Sequence, residues 1–302
     1  MRRSEAVFRA ALRLQGFQSR SISTEVGEVH ALEAQGRTQR PTLVFLHGLG
    51  SAGVHYSGLF QRLRPKVRRV VAPDFPAHGF SDRPSGPINP DCLLTGLTEA
   101  LDELLADDEP AVIFGNSLGG CAAIRYAALR PHNVKALILC SPAGAFSSED
   151  DLATLREVFS LDAHEKALAF IDRVFATSPP FRHLLAWGAR KRFADPDLQE
   201  ILDGISPDHA LSPTELRALT MPVLFMWGEE ERILPASHLE FYERHLPSHA
   251  RVERPAGHGH SPYLERPDDV AARILRFVDE VCPVPAPAKK KRFRWSRPLS
   301  AT

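Results

Sequence analysis

Ser117 stands in Gly115-Asn116-Ser117-Leu118-Gly119, after the apolar run Ala111–Phe114 and before Gly120-Cys121-Ala122. A Gly-x-Ser-x-Gly between a buried strand and a helix makes a sharp turn that lifts the serine Oγ above the sheet edge. The free N–H groups and positive end of the following helix then face the serine, where negative charge develops on a tetrahedral intermediate. His47-Gly48-Leu49-Gly50 follows a second apolar run, Thr42–Leu46. A glycine-rich turn there can aim a backbone N–H at Ser117, so Leu49 and Leu118 are read as the donors of an oxyanion hole. Two further clusters offer an acid and a base: Glu229-Glu230-Glu231, just after an apolar run ending at Trp227, and the close pair His258 and His260. Serine, histidine and carboxylate together serve acyl transfer through a covalent intermediate.

Those residues need a rigid frame. Thr42–Leu46, Val67–Ala72, Ala111–Phe114, Ala136–Cys140 and Val223–Trp227 are short continuous apolar runs. Such runs suit strands buried on both faces, as in a parallel sheet covered by helices. Arg20–Thr24 and Glu28–Glu33, joined at Val26-Gly27, read as an opening hairpin. Helical patterns fill the gaps at about 54–63, 91–106, 118–129, 237–245 and 268–280, with the stripe Leu93, Leu94, Leu97, Leu101, Leu104 and Leu105 on the second. Alternation of this kind predicts an α/β fold with a doubly wound, mostly parallel sheet. Residues 147–215 break it: no strand is expected there, only helical pieces anchored by Phe159, Phe170, Phe175, Phe181, Trp187 and Phe193. They are read as an inserted all-helical lid. The expected organisation is an N-terminal helical extension at 1–19, a core of 20–146 with 216–282, the lid at 147–215 and a basic, disordered tail at 283–302. In the extension, Val7, Ala10, Ala11 and Leu14 recur at helical spacing and are expected to pack on the body.

Composition narrows the classes. The 302 residues are 43% hydrophobic and 25% charged, with 37 basic against 37 acidic side chains, which excludes collagen-like, disordered and disulfide-scaffold proteins. No apolar run is long enough for a membrane span, so no stable membrane insertion is expected. The two ends are basic, with five arginines and one glutamate in 1–20 and six basic groups without an acid in 283–302, which leaves a net acidic body. An acidic body makes no nucleic-acid surface. Cys92, Cys121, Cys140 and Cys282 are widely spaced, as expected of reduced thiols, and the N-terminus lacks the apolar core of a secretory signal. A cytoplasmic monomer or homodimer acting on a small molecule, with no metal and no cofactor, is the expectation.

Five segments, LVFLHGLGS (43–51), DFPAHGFSD (74–82), FGNSLGG (114–120), PVLFMWGEEERILP (222–235) and GHSPYLERP (259–267), resemble those of the α/β-hydrolase superfamily, in its capped subgroup of lid-bearing esterases and carbon–carbon bond hydrolases. The likeness runs from about residue 20 to 281. It implies the order nucleophile, acid, histidine. The family pattern Trp-Gly-x-x-Asp-x-apolar-x-Pro falls on Trp227 to Pro235 and implies Glu231 as the acid, where most members have Asp, with Glu229 and Glu230 as the alternatives. The pattern also places Glu five and Pro seven residues after the catalytic histidine. His260 meets both, through Glu265 and Pro267, and His258 neither.

Ser117, His260 and Glu231 would cleave a small, largely apolar carboxylic ester or thioester through an acyl-enzyme. His47, Asn116, Phe181 and Trp187 are expected to touch the substrate. Cleavage of ring-fission products at a carbon–carbon bond, by relatives with a similar elbow, is one alternative. A non-catalytic small-molecule binder on the same scaffold is another.

Overall fold

In the computed structural model, which describes residues 2–145 and 148–283, the apolar runs pair into one eight-stranded sheet. Its strands are β1 (Gln18–Thr24), β2 (Gly27–Gln35), β3 (Leu43–Leu46), β4 (Arg69–Pro73), β5 (Ala111–Ser117), β6 (Val134–Pro142), β7 (Val223–Met226) and β8 (Arg251–Glu253). They run in the order β1-β2-β4-β3-β5-β6-β7-β8. The β1–β2 hairpin and the β2–β4 pair are antiparallel, and every other pairing is parallel.

Side-chain alternation explains why both faces are covered. Val44, Leu46, Ile113, Leu137, Leu139 and Phe225 enter one buried cluster, while Leu43, Phe45, Val112, Phe114, Ile138 and Leu224 enter the other. The first cluster is filled by α3 (Pro90–Leu105), α4 (Leu118–Leu129) and α10 (Ala236–His245). The second is filled by α2 (Ser57–Leu63) and α11 (Pro267–Val281), with Leu12 of α1 (Arg2–Leu14). At about 25 cal/mol per Å² of apolar surface removed from water, these two layers dominate the stability of the frame.

Between β6 and β7 the described residues form five helices: α5 (Glu149–Phe159), α6 (His164–Val174), α7 (Arg182–Phe193), α8 (Pro196–Gly204) and α9 (Pro213–Arg217). Phe159, Phe170 and Phe193 form their aromatic knot, with ring centroids 5.2 to 5.7 Å apart.

Three expectations need correction. The N-terminal helix does not pack through Val7 and Leu14, which are 70% and 92% exposed; Leu12 carries the contact. The predicted 54–63 helix opens as a tight 3-10 turn over Gly53–Tyr56 before α2. The sequence reading also missed β8, because Arg-Val-Glu is a three-residue edge strand without an apolar run. The basic tail lies, apart from Pro283, outside the described residues. Among those residues, no helix is long and apolar enough to cross a membrane.

Candidate active site

Ser117 ends β5 and caps α4 with φ 53° and ψ −120°. A side chain in that region costs roughly 1–3 kcal/mol, and a turn keeps it only when its surroundings enforce it. Here close packing does so. A Cβ on Gly119 would come within 2.1 Å of the Leu46 carbonyl oxygen, so the first turn of α4 lies directly on the end of β3. A Cβ on Gly48 would stand 3.2 Å from the Ser117 Cβ, which shows how tightly the loop after β3 presses on the elbow. Leu49 and Leu118 both border the cavity at Ser117.

The loop after β7 brings Glu231 to the loop before α11. His260 Nδ1 lies 2.8 Å from Glu231 Oε2. Glu231 Oε1 accepts the N–H groups of Ile233 and Leu234 at 2.7 and 3.1 Å, which fixes the carboxylate. Burial pushes this carboxyl upward, but the His260 charge and hydrogen bond oppose it, and the group is held below its usual range. An ionised carboxylate on Nδ1 assigns the proton to that nitrogen and leaves Nε2 as the acceptor. Ser117 and His260 line one cavity. Glu229 is exposed instead, and Glu230 donates its N–H to the His258 carbonyl. His258 is buried elsewhere, with Nε2 2.6 Å from Asp269.

Two expected substrate contacts, His47 and Asn116, spend their polar atoms on partners within the fold. His47 is fully buried; Nδ1 donates to the Gly48 carbonyl at 2.9 Å and Nε2 accepts the Phe75 N–H at 3.1 Å. Both ring nitrogens are used within the fold, and burial holds the imidazole neutral despite nearby Asp74. Asn116 borders the cavity, but its Nδ2 donates to the carbonyls of Cys140 and His260, at 3.0 and 2.9 Å. Its Oδ1 accepts from the Ser261 hydroxyl at 3.2 Å. Of the two aromatics, Phe181 lines the cavity, whereas Trp187 does not border it. Trp187 is 60% exposed, with Lys191 Nζ 5.6 Å from its ring centre.

Sequence reasoning overlooked the residues that brace the loop after β3 and the end of α6. His78 Nε2 accepts the Gly50 N–H at 3.1 Å while its Nδ1 donates to the Pro76 carbonyl. Asp74 accepts the N–H groups of Gly53 and Phe80 and lies 2.9 Å from His30 Nδ1. Glu265 accepts the N–H groups of Ala176 and Thr177, just after α6. Only the motif segments that contain these residues hinted at them. Among the described residues, no cluster of three or more His, Cys, Asp or Glu could hold a metal ion.

A model of the alpha/beta hydrolase family matches residues 43–273. The pimeloyl-[acyl-carrier protein] methyl ester esterase of Xanthomonas oryzae pv. oryzae is 30% identical over 80% of this chain and 96% of its own. Among solved structures, a membrane phospholipase A described as a bacterial virulence factor superposes with a TM-score of 0.77 at 26% identity, covering 93% of each chain. The naproxen esterase of Bacillus subtilis gives a TM-score of 0.66 at 23% identity, over 86% of this chain and 91% of that one, a likeness of fold.

Proposed function

Because the chain belongs to the alpha/beta hydrolase family, we propose that it is a serine hydrolase of apolar carboxylic esters, with Ser117 as nucleophile, His260 as base and Glu231 as the acid that orients it. Esterase activity in the Xanthomonas relative supports this reading. One observation carries it: the His260–Glu231 pair at 2.8 Å and the strained Ser117 turn meet at a single cavity.

The chemistry follows from that layout. Ser117 Oγ bonds to the ester carbon as His260 Nε2 takes its proton. The N–H groups of Leu49 and Leu118 receive the developing oxyanion. His260 then hands the proton to the leaving alkoxide as the carbon–oxygen bond breaks, and the alcohol departs. Water, activated by the same nitrogen, releases the acid and restores the serine. Glu231 stays ionised throughout and stabilises the imidazolium.

Hydrolysis of p-nitrophenyl butyrate by the wild type, lost about ten-thousand-fold in Ser117→Ala with the fold unchanged, is the expected result. A Ser117→Ala protein that keeps a tenth of the wild-type rate removes the assignment. Turnover of a dienone ring-fission product in place of every ester replaces the reading.

A further inference from the structure

Two cavities meet at Ser117, and they differ sharply in size. One is a wide cleft of about 790 Å³ that contains His260, Phe175, Phe181 and Leu185 in its wall. The other is a narrow arm of about 90 Å³ that shares Leu49, Ser117 and Phe159 with the cleft but does not touch His260. The arm borders α4 at Leu118, Cys121, Ala122 and Arg125. Leu94, Leu152, Leu155 and Ile205 close its sides.

The position of the base decides which part of an ester enters which space. His260 must reach the leaving oxygen to protonate it, so the alcohol lies on the His260 side. The acyl chain then points the opposite way. We propose that the narrow arm holds the acyl chain and the wide cleft the alcohol, so that the substrates are short, unbranched acyl esters of large apolar alcohols; this rests on the ester-hydrolase reading above. A space of about 90 Å³ is smaller than the ~150 Å³ cavity that accepts benzene. Acyl groups of about four carbons fit, and benzoyl does not.

Arg125 and Arg156 border the arm, but Arg125 binds Glu215 and the carbonyls of His209 and Ala210, and Arg156 binds the Ile205 carbonyl. His209 Nδ1 accepts the Ser206 N–H. Glu215 thus offsets the charge of Arg125, whereas the bond of Arg156 goes to a neutral carbonyl.

Two ester series test the partition. With p-nitrophenyl esters of rising acyl length, kcat/KM should peak near butyrate and fall about 10-fold or more by octanoate, with benzoate poor, as differential binding of a few methylenes permits. With butyrates of alcohols of similar acidity, 2-(1-naphthyl)ethyl butyrate should be cleaved at least as well as ethyl butyrate. A preference for methyl decanoate over naphthylethyl butyrate overturns the partition while leaving the esterase reading intact. Failure to hydrolyse any ester overturns the esterase reading itself, and the partition with it. Leu94→Ala, at a half-buried position on the arm, should raise the octanoate-to-butyrate ratio about 10-fold and leave the alcohol series unchanged. Ile205→Ala gives the same readout should the first variant not fold. A folded variant with an unchanged ratio shows that the acyl chain lies elsewhere.

Discussion

Asn116 Nδ2 donates to the carbonyl oxygen of His260 at 2.9 Å, so the residue just before Ser117 holds the backbone of His260. The same amide reaches the Cys140 carbonyl on β6, and its Oδ1 takes the Ser261 hydroxyl. One buried side chain thus ties the serine turn, the neighbouring strand and the histidine loop together.

Asn116→Asp should be worse than Asn116→Ala. The aspartate sets acceptor against acceptor at two buried carbonyls, each unsatisfied group costing about 1–3 kcal/mol, whereas alanine only leaves partners unmet. Thermal melting should rank wild type above Ala above Asp. In Asn116→Ala, kcat should fall about 10- to 100-fold, because a base displaced by about 1 Å loses that much. Unchanged kcat in a folded Asn116→Ala would show that the tie does not set the position of His260.

The two neighbouring histidines should separate cleanly. His260→Gln should abolish ester turnover with little change in melting temperature. His258→Gln loses the 2.6 Å contact with Asp269 and should lower the melting temperature while keeping kcat within a few-fold. The reverse pattern, measured on folded proteins, would move the base to His258.

Trp187→Ala should leave kcat/KM within about 2-fold for every ester, since its ring lies outside the cavity wall. Phe181→Ala, by contrast, should raise KM for esters of bulky alcohols, because burying an aromatic ring is worth a few kcal/mol at most and Phe181 is still 64% exposed. The expected rise is about 3- to 10-fold. Equal behaviour of the two variants would count against the observed orientation of α7.

Stability should fall as the solution is acidified. Burial pushes the imidazoles of His55 and His238 down to about 4. Unfolded, both titrate near pH 6.5. The unfolded chain therefore takes up protons that the native state refuses, so this stability is complete above about pH 6.5 and is lost as pH drops toward 4. The difference is on the order of 3 kcal/mol per group, less for His55, whose ring faces the cleft. Glu231 and Asp74, both held below their usual range, extend the loss to lower pH, because their stabilisation disappears as they protonate. Urea unfolding at pH 7.5 and 4.5 measures the slope. His238→Gln should flatten it, and an unchanged slope in that variant would exclude its contribution.

Local pattern made the frame legible. Thr42–Leu46, Ala111–Phe114 and Ala136–Cys140 mark strands buried on both faces because both faces must be apolar there, and the structure has them within two or three residues of the expected ends. The elbow at Ser117 shows itself because Gly115 and Gly119 are needed where backbone meets backbone. The roles of Asn116 and His47 were not legible. Each is set by partners distant in the chain, His260 for one and Phe75 for the other, and the residue types fit a substrate contact equally well. Trp187 failed for a related reason. Aromatic character says that a ring can be buried, while the turn of α7 decides which way it points.

The ties at the end of α6 limit how the helices between β6 and β7 can move. Glu265 holds the N–H groups of Ala176 and Thr177, Arg232 donates to the carbonyls of Phe175 and Ala176, and the His260 N–H donates to the Val174 carbonyl. The end of α6 is therefore stitched to the loops that carry Glu231 and His260. If helices α5–α9 swung away as one rigid flap, the His260 N–H would lose its Val174 partner. On the proposed reading, substrate enters past α7 and the segment around Phe181, while 174–177 stays tied to the loops of Glu231 and His260. In native-state hydrogen exchange, the amides of Ala176 and Thr177 should then open with the sheet, while those of exposed α7 open at far lower free energy.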